Sequence, residues 1–322
     1  MRISMHNAHI MVTGATGLIG KNLINYLHQI EPMSHIIAVV HSMTKAKCIF
    51  PDEPWITLIE TDINDPFIME GPVDFIIHGV SITSSRDFVR IPVDTIMTEV
   101  NGTRNMLELA RKKQVKSFVY LSSLEVYGVP TNDTKISENA PCNLDTMWER
   151  SCYPESKRLC ESMCAAYHAQ YGVPAKVIRV TQTFGPGIDY NDSRVFAEFA
   201  RCAMERRDIV LHTKGLTKRS YLSTKDAARA ILTVLLKGEN GVAYNAANES
   251  TYCSIYEMAQ LVAKDICGGE IEVKIHEENI EQFGYLPELK MNLDISRLQA
   301  LGWEAIDSLA DIYINLIDSM SI

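Results

Sequence analysis

The sequence predicts an α/β protein, a doubly wound parallel sheet followed by a smaller C-terminal α/β lobe. An apolar stretch, Ala8-His9-Ile10-Met11-Val12, runs directly into Thr13-Gly14-Ala15-Thr16-Gly17-Leu18-Ile19-Gly20, and residues 18–30 then follow a helical pattern. Apolar runs at 8–13, 36–40, 55–60, 73–77, 116–121 and 175–180 alternate with helical patterns at 18–30, 94–113 and 154–171, as parallel strands wound with helices do. Beyond Gly185-Pro186-Gly187 the pattern changes to helices at 193–207, 224–237 and 254–267, separated by short β-like pieces.

The first strand and helix are joined by glycines for stated reasons. One allows a tight strand-to-helix turn, one lets the backbone approach a pyrophosphate, and one packs helix on strand. The helix that follows offers free N–H groups and a positive dipole end to phosphates. The spacing here is G-x-x-G-x-x-G, and Gly14, Thr16, Gly17, Leu18, Ile19 and Gly20 are the residues placed at a dinucleotide. Residues 1–183 are therefore read as a Rossmann-like NAD(P)-binding unit and 184–322 as the second lobe. Val242-Ala243-Tyr244-Asn245-Ala246 reads as a strand returning to the main sheet, so the division is not one clean cut. Ligands in such sheets sit at the carboxyl ends of the strands, where Gly14, Ser81, Ser123 and Gln182 fall.

A second constellation follows the run that ends at Leu121. Leu121-Ser122-Ser123-Leu124-Glu125-Val126-Tyr127-Gly128 precedes Tyr153-Pro154-Glu155-Ser156-Lys157. Tyr153 and Lys157 stand one helical turn apart and share a face. An ammonium close to a phenol favours the phenolate and draws the tyrosine's pKa towards neutrality, which makes it a usable acid or base. Ser123 offers a hydroxyl to the reacting oxygen, and Pro154 suits the first helical position, where a missing N–H costs nothing.

With these motifs the chain resembles the extended short-chain dehydrogenase/reductase family, in particular its nucleotide-sugar epimerases, dehydratases and decarboxylases, from about Ile10 to about Leu301. The resemblance adds further residues. Thr61-Asp62-Ile63-Asn64-Asp65 resembles the stretch that places Asp62 and Ile63 at the adenine. His78-Gly79-Val80-Ser81 resembles a strand end where Gly79, Val80 and Ser81 lie along the cofactor and Ser81 also meets substrate. Asn101, in Glu99-Val100-Asn101-Gly102-Thr103, matches the asparagine of the catalytic tetrad, with Ser123, Tyr153 and Lys157. On the substrate side the resemblance implies Gln182, Arg194 and Arg219, the last matching an arginine that meets phosphates or sugar.

The chemistry it implies is transient oxidation of a nucleotide sugar to a 4-keto sugar, with Tyr153 as acid and base. That intermediate leads to epimerisation, dehydration or decarboxylation. Epimerase/dehydratase is the first reading, with a decarboxylase resembling those for UDP-glucuronate, or a non-catalytic dinucleotide sensor, as alternatives. Glu125 matches a glutamate of dehydratases and glucuronate decarboxylases, acting at C5 or as a positioning group. Leu124 stands where many dehydratases carry an aspartate that protonates the departing hydroxyl, and leucine donates no proton. His41-Ser42 replaces the acidic residue that commonly holds the ribose hydroxyls of NAD. His41 is kept among the cofactor residues; NAD is the expected cofactor and, with Lys45 nearby, NADP remains open.

Composition agrees. A chain of 322 residues, 46% hydrophobic, buries a large core, and its net charge of −9 gives no general attraction to nucleic acid. An anionic ligand would meet a local cluster of Arg194, Lys214, Lys218 and Arg219. None of the eight cysteines forms a C-x-x-C pair, and Cys160 and Cys164, one turn apart, read as core rather than as a metal site. No signal peptide and no apolar run of membrane-spanning length is seen, so a reducing cytoplasm is the expected compartment, with no membrane partner. The family resemblance also implies a homodimer through the helices at about 94–113 and 154–171, with Met106, Leu109, Met163 and Tyr167 as apolar residues for it.

Overall fold

A computed structural model of the chain describes residues 4–50, 52–278 and 288–320. Its first half runs β1 (His9–Thr13), α1 (Leu18–Ile30), β2 (His35–Val40), α2 (Met43–Ile49), β3 (Ile56–Glu60), β4 (Phe75–His78), α3 (Ser85–Arg90), α4 (Pro92–Lys113), β5 (Ser117–Ser123), α5 (Cys152–Tyr171) and β6 (Ala175–Val180). The second half runs β7 (Gln182–Phe184), α6 (Val195–Glu205), β8 (Ile209–Leu211), β9 (Lys218–Ser223), α7 (Thr224–Lys237), β10 (Ala243–Ala246), β11 (Asn248–Ser254), α8 (Ile255–Leu261), β12 (Val273–Ile275), β13 (Lys290–Met291), α9 (Ser296–Ala300) and α10 (Leu309–Met320).

The main sheet has seven strands in the order β10-β6-β5-β4-β1-β2-β3. Every pairing in it is parallel, for instance Val12 opposite Ala38 on one side and Ile77 on the other. A parallel sheet is covered on both faces, which explains why its strands are nearly continuous apolar runs: all of β2 after His35 is buried. On one face α1 and α7 pack through Leu23, Ile24, Leu27, Ile231 and Leu235; on the other lie α4 and α5, through Met106, Leu107, Cys160 and Cys164. The strand order reverses between β1 and β4, which places a crevice at the carboxyl ends of those strands.

β10 pairs with β6, so the chain does return to the main sheet after leaving it. The second lobe has its own core, in which the Phe184 and Phe196 rings stack with centroids 4.7 Å apart and Tyr313 of α10 meets Phe184 edge-on. A small sheet, β11-β9-β13 with β7 also on β9, stands apart from the main sheet.

Several local expectations change. Pro154 is not the first helical residue, because α5 begins at Cys152; as the third it still lies in the first turn, whose N–H groups have no helical partner. α2 and α3 are too short to show a helical period, and α10 was not anticipated at all. No helix among the described residues is long and apolar enough to cross a membrane.

Candidate active site

The glycine turn is built by close contact. Gly14 has φ +69°, and a Cβ there would lie 2.6 Å from the Gly79 carbonyl oxygen; one on Gly20 would lie 2.2 Å from that of Gly14. Neither position admits a side chain. Gly17 caps α1, and no acidic residue lies in that helix's first turn, formed by Leu18, Ile19 and Gly20. The Thr13 hydroxyl accepts from the Gly79 and Val80 N–H groups at 3.1 and 3.3 Å, locking the end of β4 to the turn. Below it, His78 bridges Thr13 and Thr103 at 2.7 and 3.2 Å. Burial drives this imidazole down to about 3, so it is neutral.

The loop after β3 is held by an unanticipated residue, Asn105, whose amide donates to the Ile63 and Asp65 carbonyls at 2.9 and 2.7 Å. Asp62 accepts from the Asn64 backbone at 2.9 Å, which holds its carboxyl below the usual range, and His41 at the end of β2 faces it electrostatically. Gly14, Thr16, Gly17, Asp62, Ile63 and the segment 79–81 thus line the ends of adjacent parallel strands, a bare-backbone cradle with a helix N-terminus aimed across it. These features fit NAD: the bare backbone at Gly14 and Gly17 and the N-terminus of α1 suit a pyrophosphate.

At the end of β5 the Ser123 hydroxyl accepts from the Glu125 N–H at 3.2 Å and lies near enough to Tyr153 to pull its phenol's pKa down. Tyr153 is buried, its ring stacked on Phe88 at 4.4 Å, and the Lys157 ammonium lies 5.7 Å from the ring centroid. Lys157 donates to the Leu121 carbonyl at 2.9 Å. Serine, tyrosine and lysine therefore meet as the motif demands. The phenol's acidity departs from the expectation: burial pushes Tyr153 up, outweighing the downward pull of Lys157 and Ser123.

Among the described residues Asn101 makes no hydrogen bond to this group. Its amide lies 3.4 Å from Asn64 Oδ1, and the α4 residue that meets Lys157 is Glu99, with Oε2 3.2 Å from Nζ. Two residues along a helix point roughly 200° apart, so Glu99 and Asn101 cannot serve the same face. Glu125 is likewise engaged: Arg150 holds both of its oxygens, at 2.9 and 3.3 Å, and is itself mostly buried. On the substrate side Gln182 begins β7 opposite Tyr221, and Arg219 on β9 keeps a buried Nε without a hydrogen-bond partner among the described residues. Arg194 caps α6 and is paired to Asp192 at 2.6 Å. Glu99, Asn105 and Arg150 act through tertiary contacts that no local sequence pattern marks.

Residues 10–247 match the model of the NAD dependent epimerase/dehydratase family. UDP-glucuronic acid decarboxylase 6 of Arabidopsis thaliana is 30% identical over 302 residues, covering 92% of this chain and 84% of the relative. UDP-glucuronic acid decarboxylase 1 of Xenopus tropicalis is 30% identical over 304 residues, 92% and 68% of the two chains. Among solved structures, a UDP-glucose 4-epimerase from Thermotoga maritima superimposes with TM-score 0.82 at 22% identity, over 97% of this chain and 98% of the other. A dTDP-glucose 4,6-dehydratase from Bacillus anthracis, in complex with NAD, gives 0.78 at 20%, over 98% and 96%. At these identities the two structures speak for the fold.

Proposed function

Since this chain belongs to the NAD-dependent epimerase/dehydratase family, we propose that it oxidises the sugar of a nucleotide sugar at C4 and, in its main reaction, decarboxylates a nucleotide-linked hexuronate. The observation that carries the choice of branch is the pairing of Glu125 with Arg150. A carboxylate gripped on both oxygens by a guanidinium is a poor base. Leu124 supplies no acid beside it. Elimination of water across C5 and C6 asks for both a base and an acid, whereas a 4-keto hexuronate is a β-keto acid and loses carbon dioxide without either. The two relatives similar in sequence, which are UDP-glucuronic acid decarboxylases by name, support the same branch.

The steps follow from the side chains. Ser123 holds the C4 hydroxyl, and Tyr153 takes its proton while the C4 hydrogen leaves as hydride. NAD, which Gly14, Gly17 and the N-terminus of α1 would hold, would supply a reversible acceptor for that hydride. In the 4-keto acid the C5–C6 bond breaks, its electron pair enters the C4–C5 enolate, and carbon dioxide departs. A proton added at C5 and the proton returned by Tyr153 complete a pentose. Arg219, whose Nε has no hydrogen-bond partner among the described residues, is assigned to the nucleotide's phosphates, together with Gln182.

Incubation of the purified protein and NAD with UDP-glucuronate, UDP-glucose and dTDP-glucose, followed by mass spectrometry, tests the reading. Loss of carbon dioxide from the uronate is the expected result. Loss of water from a hexose, or an inverted centre seen by NMR at unchanged mass, would instead establish the dehydratase or epimerase branch.

We also infer a homodimer. Val93 and Met97 on α4 and Leu159 on α5 are exposed apolar residues on neighbouring helices, 67%, 45% and 49% accessible. Met106 and Leu109 are not part of such a face, because both are buried in the chain's own core; Met163 and Tyr167 are half-buried against it.

A further inference from the structure

We propose that Glu161 is a positioning residue for Ser123: by binding Ser122 and Arg179 to α5 it fixes the overhanging end of β5, and so sets the Ser123 hydroxyl against Tyr153. The roles of Ser123 and Tyr153 rest on the functional reading above; the tether rests on the fold. β4 ends at His78, opposite Tyr120 of β5. Beyond that point Leu121, Ser122 and Ser123 have ladder partners only in β6 among the described residues, with Ser122 opposite Arg179 and Ser123 opposite Val180. A strand flanked on one side is an edge, whose outer backbone groups have no ladder to hold them. Side chains hold this one.

α5 supplies two ties. Lys157 donates to the Leu121 carbonyl at 2.9 Å, and one helical turn further on Glu161 Oε1 accepts from the Ser122 hydroxyl at 2.6 Å. The same carboxylate takes Arg179 on both oxygens, from Nε at 2.9 Å and from Nη2 at 2.6 Å, a bidentate and charge-assisted grip. Arg179 carries the constraint onward. Its Nη1 donates to the Tyr127 hydroxyl and to the Glu138 carbonyl, each at 2.8 Å, and Tyr127 donates to Asn245 of β10 at 2.6 Å. The turn 124–127 that leaves Ser123 is therefore pinned at its far end by the same pair. Lys157 also meets Glu99 and faces Tyr153, whereas both partners of Glu161 belong to this frame. The pair borders a cavity of about 310 Å³, so water entering there solvates Arg179 when Glu161 is replaced, and the substitution does not strand a charge in a dry core.

Ser122→Ala cuts the strand tether alone, and Glu161→Ala cuts the tether and the ion pair. Phenolate ultraviolet absorbance is titrated in the NAD-saturated protein, each variant being measured with and without Tyr153→Phe so that the difference isolates Tyr153. Ser123 and Lys157 both draw the Tyr153 phenol down, so a displaced strand end weakens that pull, and the Tyr153 titration is expected to move to higher pH in both variants. The charges that face Tyr153, those of Lys157, Glu99 and Glu125, are unchanged in them. With substrate, at a temperature well below the melting points, kcat is expected to fall about tenfold while KM stays near the parent's. A Ser122→Ala protein whose titration and kcat both match the parent's overturns the proposal even if Glu161→Ala does not fold. A lower Tm with parent-like titration and kcat overturns it too, because the network would then serve stability alone, as does a raised KM with kcat unchanged. The titration needs no substrate, so failure to turn over any nucleotide sugar, which would sink the functional reading, leaves this test standing.

Discussion

Tyr153 concentrates the chemistry in one oxygen, and its removal is the sharpest test at the scale of the residue. Tyr153→Phe should keep the fold, because the ring stays stacked on Phe88. It should still bind NAD while kcat falls by roughly 10²–10⁴-fold, the range for loss of a positioned acid-base group. Calorimetric NAD binding beside a turnover assay separates the two effects. Glu125→Gln distinguishes a base from a positioning group: with the carboxylate already held by Arg150, kcat should fall by only about tenfold, against the 10²–10⁴-fold range of a true general base. His78 makes a different prediction, for stability. Its folded pKa of about 3 lies far below the unfolded value of about 6.5, so the unfolded chain binds more protons between those limits and stability is lost as pH falls through that window. Between pH 7 and about pH 4.5 this one group should cost about 2.5 kcal/mol. Urea unfolding should show a flatter acid profile for His78→Asn than for the parent.

At the scale of the element, the turn from β1 into α1 depends on two backbones in contact. Gly20→Ala puts a methyl group 2.2 Å from the Gly14 carbonyl, so α1 must lift from the strand. Overpacking of this kind costs about 1–3 kcal/mol. The expected outcome is a Tm lower by several degrees and NAD affinity reduced about tenfold or more, read by thermal melts with and without NAD; an unchanged Kd would show that α1 does not hold the pyrophosphate. This turn was legible in the sequence because glycines, strand and helix are neighbours along the chain. The loop at 62–65 was legible only as a motif. Its hold, Asn105, comes from a helix forty residues on and is invisible until α4 packs against it.

For the whole molecule the exposed face of α4 and α5 makes the remaining prediction. Light scattering after size exclusion should give twice the chain mass, and Met97→Arg with Leu159→Arg, which places charge in the middle of an apolar contact, should give the monomer with the site intact. A monomeric parent would remove the dimer.

The chain order of apolar runs and helices determined the parallel sheet, its glycine turn and the Ser123, Tyr153 and Lys157 constellation, because each of these is written in short-range spacing: period two or apolar for strands, 3.6 for helices, four residues between two groups on one face. Only tertiary structure decided the electrostatics. It set Glu99 rather than Asn101 against Lys157, gave Arg150 to Glu125, and buried Tyr153 deeply enough to reverse the expected shift of its phenol. The acidity of a group depends on which charges and how much water surround it, and those neighbours come from α4, β5 and the loop before α5, which no local pattern brings together.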